Sequence, residues 1–262
     1  MNHGVRPKKA LGQHFLKNDA ICARVAESLS FHKGYKHLLE IGPGTGALTQ
    51  HLLRLPCNLQ VMEVDPESVV YLHNHFPEMK GKIHGEDFLQ SNLEKLFDAP
   101  FGLVGNFPYN ISTQILFKAL DHRESIPEVV GMFQREVAQR IANGPGTKEY
   151  GILSVLLQTW YDIEYLFTVD EFEFDPPPKI KSGVIRLRRN DRTALPLSEK
   201  LYKQVIKTAF NQRRKTLRNS LKSLSNGAVD MSGPLFTKRP EQLGVEDFIG
   251  LAALFHGGTP NG

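Results

Sequence analysis

Cysteine is scarce. Cys22 and Cys57 are the only two among 262 residues, too few for a disulfide framework or a cysteine metal knuckle. They suit a reducing compartment, and a cytoplasmic protein is expected. No run of about 18 apolar residues occurs, so no membrane-spanning helix is expected and no membrane partner. The stretch from Met1 to Lys9 has no apolar segment and does not read as a signal peptide. No Ser/His/Asp or Cys/His set stands out, which leaves nucleophilic catalysis without its parts. His73 and His75 stand at i, i+2 on an expected helix, where side chains diverge, so no metal is expected. Internal repeats and low-complexity tracts are also missing.

What is present centres on residues 38–49. Leu38, Leu39 and Ile41 suit the end of a buried strand; Gly42, Gly44 and Gly46 follow at alternate positions. Ala47, Leu48, Leu52 and Leu53 then recur at helical spacing. Strand, glycine turn and helix open a nucleotide-binding unit of a doubly wound α/β sheet. Gly42-x-Gly44-x-x-Ala47 also fits a loosened dinucleotide fingerprint, so the glycines alone leave the ligand open. Glu63 stands 21 residues after Gly42, at the end of the next expected strand. A carboxylate there accepts from both hydroxyls of a ribose. That serves NAD and S-adenosylmethionine equally.

The remaining chain reads as alternating strands and helices. A basic arm with Arg6, Lys8, Lys9 and Lys17 surrounds Gly12-Gln13-His14-Phe15-Leu16. A helix is expected over 19–29, with Asp19 as a candidate cap. Further helices are expected over 66–75, 111–120, 136–141 and 153–161. Strands are expected over 59–65, 82–88, 101–105 and 129–134. Residues 167–169 and 182–187 suit an antiparallel, hairpin-like pair. Asp87 ends the third strand, where it could accept from an adenine amine with Phe88 beside the ring, or simply cap the next helix. Between 167 and 182 lies Phe174-Asp175-Pro176-Pro177-Pro178-Lys179, a stiff linker or a rigid arm presenting Phe174.

Charge divides the chain. Residues 191–262 hold 11 Lys and Arg against 6 Asp and Glu, a net of +5, in a chain of net +4. The window 200–222 has eight basic residues and no acid. Such asymmetry points to a polyanion, and RNA or DNA contact is the expectation for this part.

The sharpest chemical signal is Asn106-Phe107-Pro108-Tyr109, at the end of the fourth strand. The exocyclic amine of adenine is a poor nucleophile because its lone pair is delocalised into the ring. Hydrogen bonds from its N–H groups to the Asn106 side-chain carbonyl and the Pro108 main-chain carbonyl would weaken that conjugation. Tyr109 would offer a flat face to an extruded base. A sulfonium donor is already reactive, so alignment is the main requirement and no strong base is needed. The same four residues also make a good turn.

These motifs resemble the KsgA/RsmA family of rRNA adenine dimethyltransferases. The family's order is followed by Gly12 to Leu16, Glu40 to Gly46, Glu63-Val64-Asp65, Gly85-Glu86-Asp87, Gly105 to Ser112 and the proline loop from Phe174 to Ile180. The resemblance spans about residues 5–255. It implies a class I S-adenosylmethionine-dependent methyltransferase fold. That is a Rossmann-like, seven-stranded, mostly parallel sheet, with a small helical C-terminal domain; the division is expected at 1–190 and 191–262. It implies S-adenosyl-L-methionine as methyl donor and two adjacent adenosines near the 3′ end of 16S rRNA as substrate, each dimethylated on the 6-amino nitrogen. A role in small-subunit biogenesis and a monomeric state are expected with it. By motif matching, His14 and Leu16 border the methionine end of the donor. Gly42 and Gly44 contact it through the backbone, Glu63 holds the ribose and Asp87 the adenine amine. Asn106 serves donor and target, Pro108 and Tyr109 hold the target, and Phe174 buttresses the flipped base. Two positions depart from the family pattern: His14, where Asn is common, and Phe107, where Leu is common; Phe107 is expected to pack behind the loop.

Three rivals remain at this stage. Erm-type large-subunit rRNA methyltransferases share the catalytic motifs, but the full proline loop and the arm favour the small-subunit enzyme. An NAD-dependent oxidoreductase fits Gly42 and Glu63 and leaves Asn106 to Tyr109 unexplained. A non-catalytic ribosome-assembly factor would not need Asn106 and Glu63 intact.

Overall fold

The computed structural model describes residues 4–225, 227 and 229–256. The strands among them are β1 Phe15–Leu16, β2 His37–Ile41, β3 Asn58–Met62, β4 Ile83–His84, β5 Phe101–Asn106, β6 Glu128–Gln134, β7 Tyr161–Val169, β8 Phe174–Asp175 and β9 Ser182–Arg189. The α-helices are α1 Asp19–Glu27, α2 Thr49–Leu52, α3 Pro66–His75, α4 Ser112–Asp121, α5 Arg135–Ala142, α6 Ile152–Gln158, α7 Glu199–Asn211, α8 Leu217–Ser220, α9 Lys222–Ser225 and α10 Val245–His256.

Seven strands form one sheet in the order β4-β3-β2-β5-β6-β9-β7. The pairs β2–β3, β2–β5, β3–β4 and β5–β6 are parallel, and β9 runs antiparallel to β6. Leu38, Leu39, Leu103, Val104, Val129 and Val130 are fully buried. Successive residues of one strand face opposite sides, so both sides of the sheet are covered. That is why these strands read as continuous apolar runs. The strand order reverses at β2, with β3 and β4 to one side and β5 and β6 to the other. Ligands of open α/β sheets bind beyond the carboxyl ends at such a switch point. Gly42 follows β2 and Asn106 ends β5, so both stand there.

The expected sheet is present, with local differences. Asn18, not Asp19, caps α1: its side chain accepts from Ile21 N–H at 3.3 Å, while Asp19 sits in the first turn and pairs with His51 Nε2 at 2.7 Å. The third expected strand shrinks to Ile83–His84, and α6 stops at Gln158 so that Tyr161 can begin β7. β7 and β9 are sheet neighbours, as expected of that pair. Asp65 caps α3 by accepting from Glu67 N–H at 3.2 Å, with Pro66 at the first helical position, where a missing N–H costs nothing.

Contacts divide the chain into two units. One runs up to Ala138 and resumes over Asp162–Arg189; the other joins Gln139–Tyr161 to the chain from Asn190 onward. Residues 139–161, expected in the first domain, thus belong with the second. The reason is the buried face of α6. Thr159 shares a 2.9 Å hydrogen bond with Tyr202 Oη on α7, and Tyr150 meets Phe210 edge-on at 6.4 Å. Charge patterning could not show this, because the inserted segment carries its apolar residues inward. Among the described residues no helix is long and apolar enough to cross a membrane.

Candidate active site

The glycine loop is bare backbone by necessity. Gly42 and Gly44 have φ of +67° and +56°, a region that side chains disfavour. A Cβ on Gly44 would lie 2.8 Å from the Phe15 ring. Phe15 belongs to β1, which pairs antiparallel with β8 through Phe15↔Asp175 and Leu16↔Phe174. The arm is thereby laid over the loop.

Glu63 follows β3 and is 4% exposed. Its Oε2 accepts from Gly44 N–H at 3.0 Å and its Oε1 from Asp65 N–H at 2.9 Å. Burial pushes its carboxyl up, and these two N–H groups oppose the shift. Each oxygen keeps accepting capacity for a further donor, as a ribose diol requires. Val64 beside it is 51% exposed, an apolar surface next to the buried Glu63 carboxyl. Sequence reading passed over it, although an exposed valine flanked by two acids at a strand end is a visible signal.

Asn106 is fixed by the arm. Its Nδ2 donates to the His14 carbonyl at 2.8 Å, which assigns the amide orientation and leaves Oδ1 to accept. The Pro108 carbonyl accepts from Ile111 N–H at 3.1 Å and retains its second lone pair. Tyr109 Oη and Ser182 Oγ are 2.5 Å apart, and the His14 ring stacks on Tyr109 with centroids 5.7 Å apart. Burial raises the Tyr109 hydroxyl, so it stays neutral. His14 Nδ1 lies 2.7 Å from the Pro176 carbonyl, an acceptor, so Nδ1 carries the proton. The histidine departure therefore has a defined contact. Phe107 is buried as expected. Its ring packs on Gly105 and Gly131, where any Cβ would clash, and meets Phe133 edge-on at 5.2 Å.

One cavity brings His14, Leu16, Gly42, Asn106, Pro108 and Tyr109 together. Glu63 is tied to it through Gly44. Asp87 is not in its lining; its Oδ1 accepts from Leu89 N–H at 2.9 Å and so caps the following turn. Phe88 is 3% exposed, with Lys118 Nζ 4.9 Å over its ring, so it is not free to lie beside an adenine. Phe174 is 1% exposed; it pairs in register with Leu16 and belongs to the buried core. The proline loop presents the Pro176 carbonyl to His14, not the Phe174 ring.

Three further groups have a role that the sequence did not assign. Glu40, in the same cavity wall, is 1% exposed and accepts from Thr49 Oγ1 at 2.6 Å. Burial pushes its carboxyl up to about 8, the Thr49 hydroxyl opposes this, and Glu63 adds to it. The signal was a single acid within the apolar strand. Asp65 is buried, yet its carboxyl is held below 3.8, because hydrogen bonds from Lys8, Gln13 and Ser68 outweigh burial. Lys8 Nζ reaches it at 2.5 Å and Gln13 Nε2 at 3.2 Å, so Asp65 anchors the arm. Ser182 is the third. Among the described residues no cluster of three or more His, Cys, Asp or Glu is arranged for a metal.

This geometry offers two carbonyl acceptors, a ring face and a glycine floor at one switch point. The profile of the family described as ribosomal RNA adenine dimethylase matches residues 4–235. A Parabacteroides distasonis protein named ribosomal RNA small subunit methyltransferase A is 57% identical over 95% of this chain and 94% of its own. One of the same name from Porphyromonas gingivalis is 58% identical over 95% of this chain and 98% of its own. A dimethyladenosine transferase structure from Plasmodium falciparum superposes with a TM-score of 0.76 at 23% identity, covering 91% of this chain and 96% of that one. The 23S rRNA methyltransferase ErmE gives 0.64 at 25% identity, covering 91% of this chain and 99% of its own. The chain belongs to the ribosomal RNA adenine dimethylase family.

Proposed function

We propose that the protein transfers methyl groups from S-adenosyl-L-methionine to the 6-amino nitrogens of two adjacent adenosines in the 3′-terminal hairpin loop of 16S rRNA. The particle acted on is the small ribosomal subunit, and the enzyme works in the cytoplasm as a monomer. The observation that carries this reading is the Asn106 amide, locked by the His14 carbonyl with its oxygen free to accept.

The donor supplies a methyl group activated by a sulfonium. The chain's own residues fit it: bare glycines at Gly42 and Gly44, the twice-bonded Glu63 for the ribose, and Asp87 for the adenine amine. His14 and Leu16 border the methionine end. For the target, Asn106 Oδ1 and the Pro108 carbonyl accept from the amine, which localises the nitrogen lone pair. Tyr109, held by Ser182, stacks on the base. The lone pair forms the new N–C bond, the C–S pair leaves with sulfur, and the amine's proton passes to solvent. Phe174 supports the site from the core, behind Leu16.

The second unit supplies cations. Several of its arginines are otherwise occupied: Arg192 pairs with Glu246, Arg213 donates to the carbonyls of Lys148 and Thr147, and Arg218 to those of Met231 and Ser232. Lys200, Lys207, Arg214, Lys215 and Lys222 are exposed and available to phosphates.

The large-subunit alternative rests on the likeness to ErmE; the far higher identity to proteins named for the small subunit outweighs it. The test is transfer of labelled methyl to undermethylated small subunits, large subunits and naked rRNA, with Asn106→Ala alongside. Dimethyladenosine in small-subunit RNA, lost in the variant, is the expected result. Label in large-subunit RNA would replace the reading.

A further inference from the structure

Lys118 lies on α4, the helix that begins just after the Asn106 to Tyr109 turn, yet its ammonium serves another loop. It donates to the carbonyls of Phe88 and Ser91, the latter at 2.6 Å, and to Ser91 Oγ at 3.3 Å. All three of its N–H donors have acceptors. The loop is also bonded within itself: Leu89 N–H to Asp87 Oδ1, Gln90 and Ser91 N–H to the Asp87 carbonyl, and Ser91 Oγ to the Phe88 carbonyl. Carbonyls that converge at the end of a turn repel one another, and a cation between them fixes their spacing. Lysine is otherwise a flexible, solvated residue, so its insertion among loop carbonyls sets the turn rather than decorating it. Among the described residues Asp87 Oδ2 accepts no hydrogen bond.

We propose that Lys118 is a positioning residue for the adenine end of the methyl donor: it fixes the 87–91 turn so that Asp87 Oδ2 accepts from the 6-amino group, and thereby sets the preference for a 6-amino over a 6-oxo purine. The inference rests on the reading of Asp87 as the adenine acceptor. A 6-oxo purine presents an acceptor where the amine presents a donor, and a rigid carboxylate discriminates against it; a loosened carboxylate turns away and discriminates less.

The test is calorimetric binding of S-adenosylhomocysteine and its 6-oxo counterpart, S-inosylhomocysteine, to the wild-type chain, Lys118→Met, Ser91→Ala and Asp87→Asn. Thermal unfolding checks that each variant is folded. Lys118→Met is expected to weaken the adenosyl ligand about tenfold and the inosyl ligand far less, so the preference shrinks. Ser91→Ala, which removes one hydroxyl and keeps the lysine, is expected to shift the preference in the same direction by a smaller factor. Equal weakening of both ligands, or an unchanged preference in both variants, would overturn the role of Lys118. An unchanged preference in Asp87→Asn would instead overturn the reading of Asp87, so the two failures are distinguishable.

Discussion

Glu40→Gln tests the electrostatics of the cavity wall. The Glu40 carboxyl is buried with one hydroxyl donor, and its value near 8 lies well above the ordinary 4.5. A raised folded value means that the folded chain holds a proton the unfolded chain has released. Stability therefore falls as pH rises from about 4.5 to about 8. Each tenfold change in proton affinity is worth about 1.4 kcal/mol, so the whole effect is on the order of 5 kcal/mol, with about 3 kcal/mol expressed at pH 7. Glutamine keeps an acceptor for Thr49 and cannot ionise. Urea unfolding of both chains at intervals from pH 5 to 9 reads the difference. The variant is expected to gain on the wild type by about 1.4 kcal/mol per pH unit between pH 5 and 8, then to level off. Glu63 is present in both chains and cancels to first order. A difference that stays flat from pH 5 to 8 would refute the reasoning, since it would mean that Glu40 is ionised in the folded chain throughout.

Other substitutions separate the parts of the site. Gly44→Ala places a Cβ 2.8 Å from Phe15 at a φ of +56°, and donor affinity by calorimetry should fall at least about tenfold. Ser182→Ala removes the partner of Tyr109 Oη; kcat should drop roughly fivefold while the donor Kd is unchanged, because Ser182 is fully buried behind the target side. Replacing Arg214 and Lys215 with Ala should reduce the salt dependence of RNA binding by roughly 0.7 per lost phosphate contact. Arg213→Ala should leave that slope alone and lower the melting temperature, because its guanidinium serves the 147–148 carbonyls.

What was legible in the sequence was local. The glycine turn, the acid ending β3 and the asparagine ending β5 are each dictated by a few adjacent residues, and the parallel sheet places them at one switch point without further information. The packing of Phe107 behind the loop was expected from its place in the motif; the room for it, at Gly105 and Gly131, shows only in the structure. What was not legible depended on segments distant in the chain. Phe174 reads as a presented ring until β8 pairs with β1 and turns it inward against Leu16. Phe88 reads as a companion to Asp87 until Lys118 covers it. Residues 139–161 read as part of the first domain until α6 packs on α7. For the two phenylalanines local pattern suggested a role beside a ligand and burial against a distant partner assigned another; for residues 139–161 it was the partner of an apolar segment that local pattern could not name.

The arm raises the same question for catalysis itself. Residues 8–16 are anchored at both sides of the cleft, through Lys8 and Gln13 on Asp65 and through His14 on the Pro176 carbonyl, and the Asn106 amide hangs on the His14 carbonyl between them. Lys8 is half-exposed, and it also pairs with the exposed Glu67 at 3.0 Å. Ion pairs so open to solvent add little to global stability. The Asp65 carboxylate, by contrast, is fully buried, and without Lys8 it keeps only neutral donors. The loss should therefore fall on the arm and on the start of α3, which Asp65 caps. Lys8→Met is expected to lower the melting temperature by several degrees. It should lower kcat several-fold, as the His14 carbonyl holds Asn106 less firmly. Hydrogen exchange at Gln13 to Leu16 should quicken in parallel. Unchanged exchange with unchanged kcat would show that the Pro176 and β8 contacts alone hold the arm.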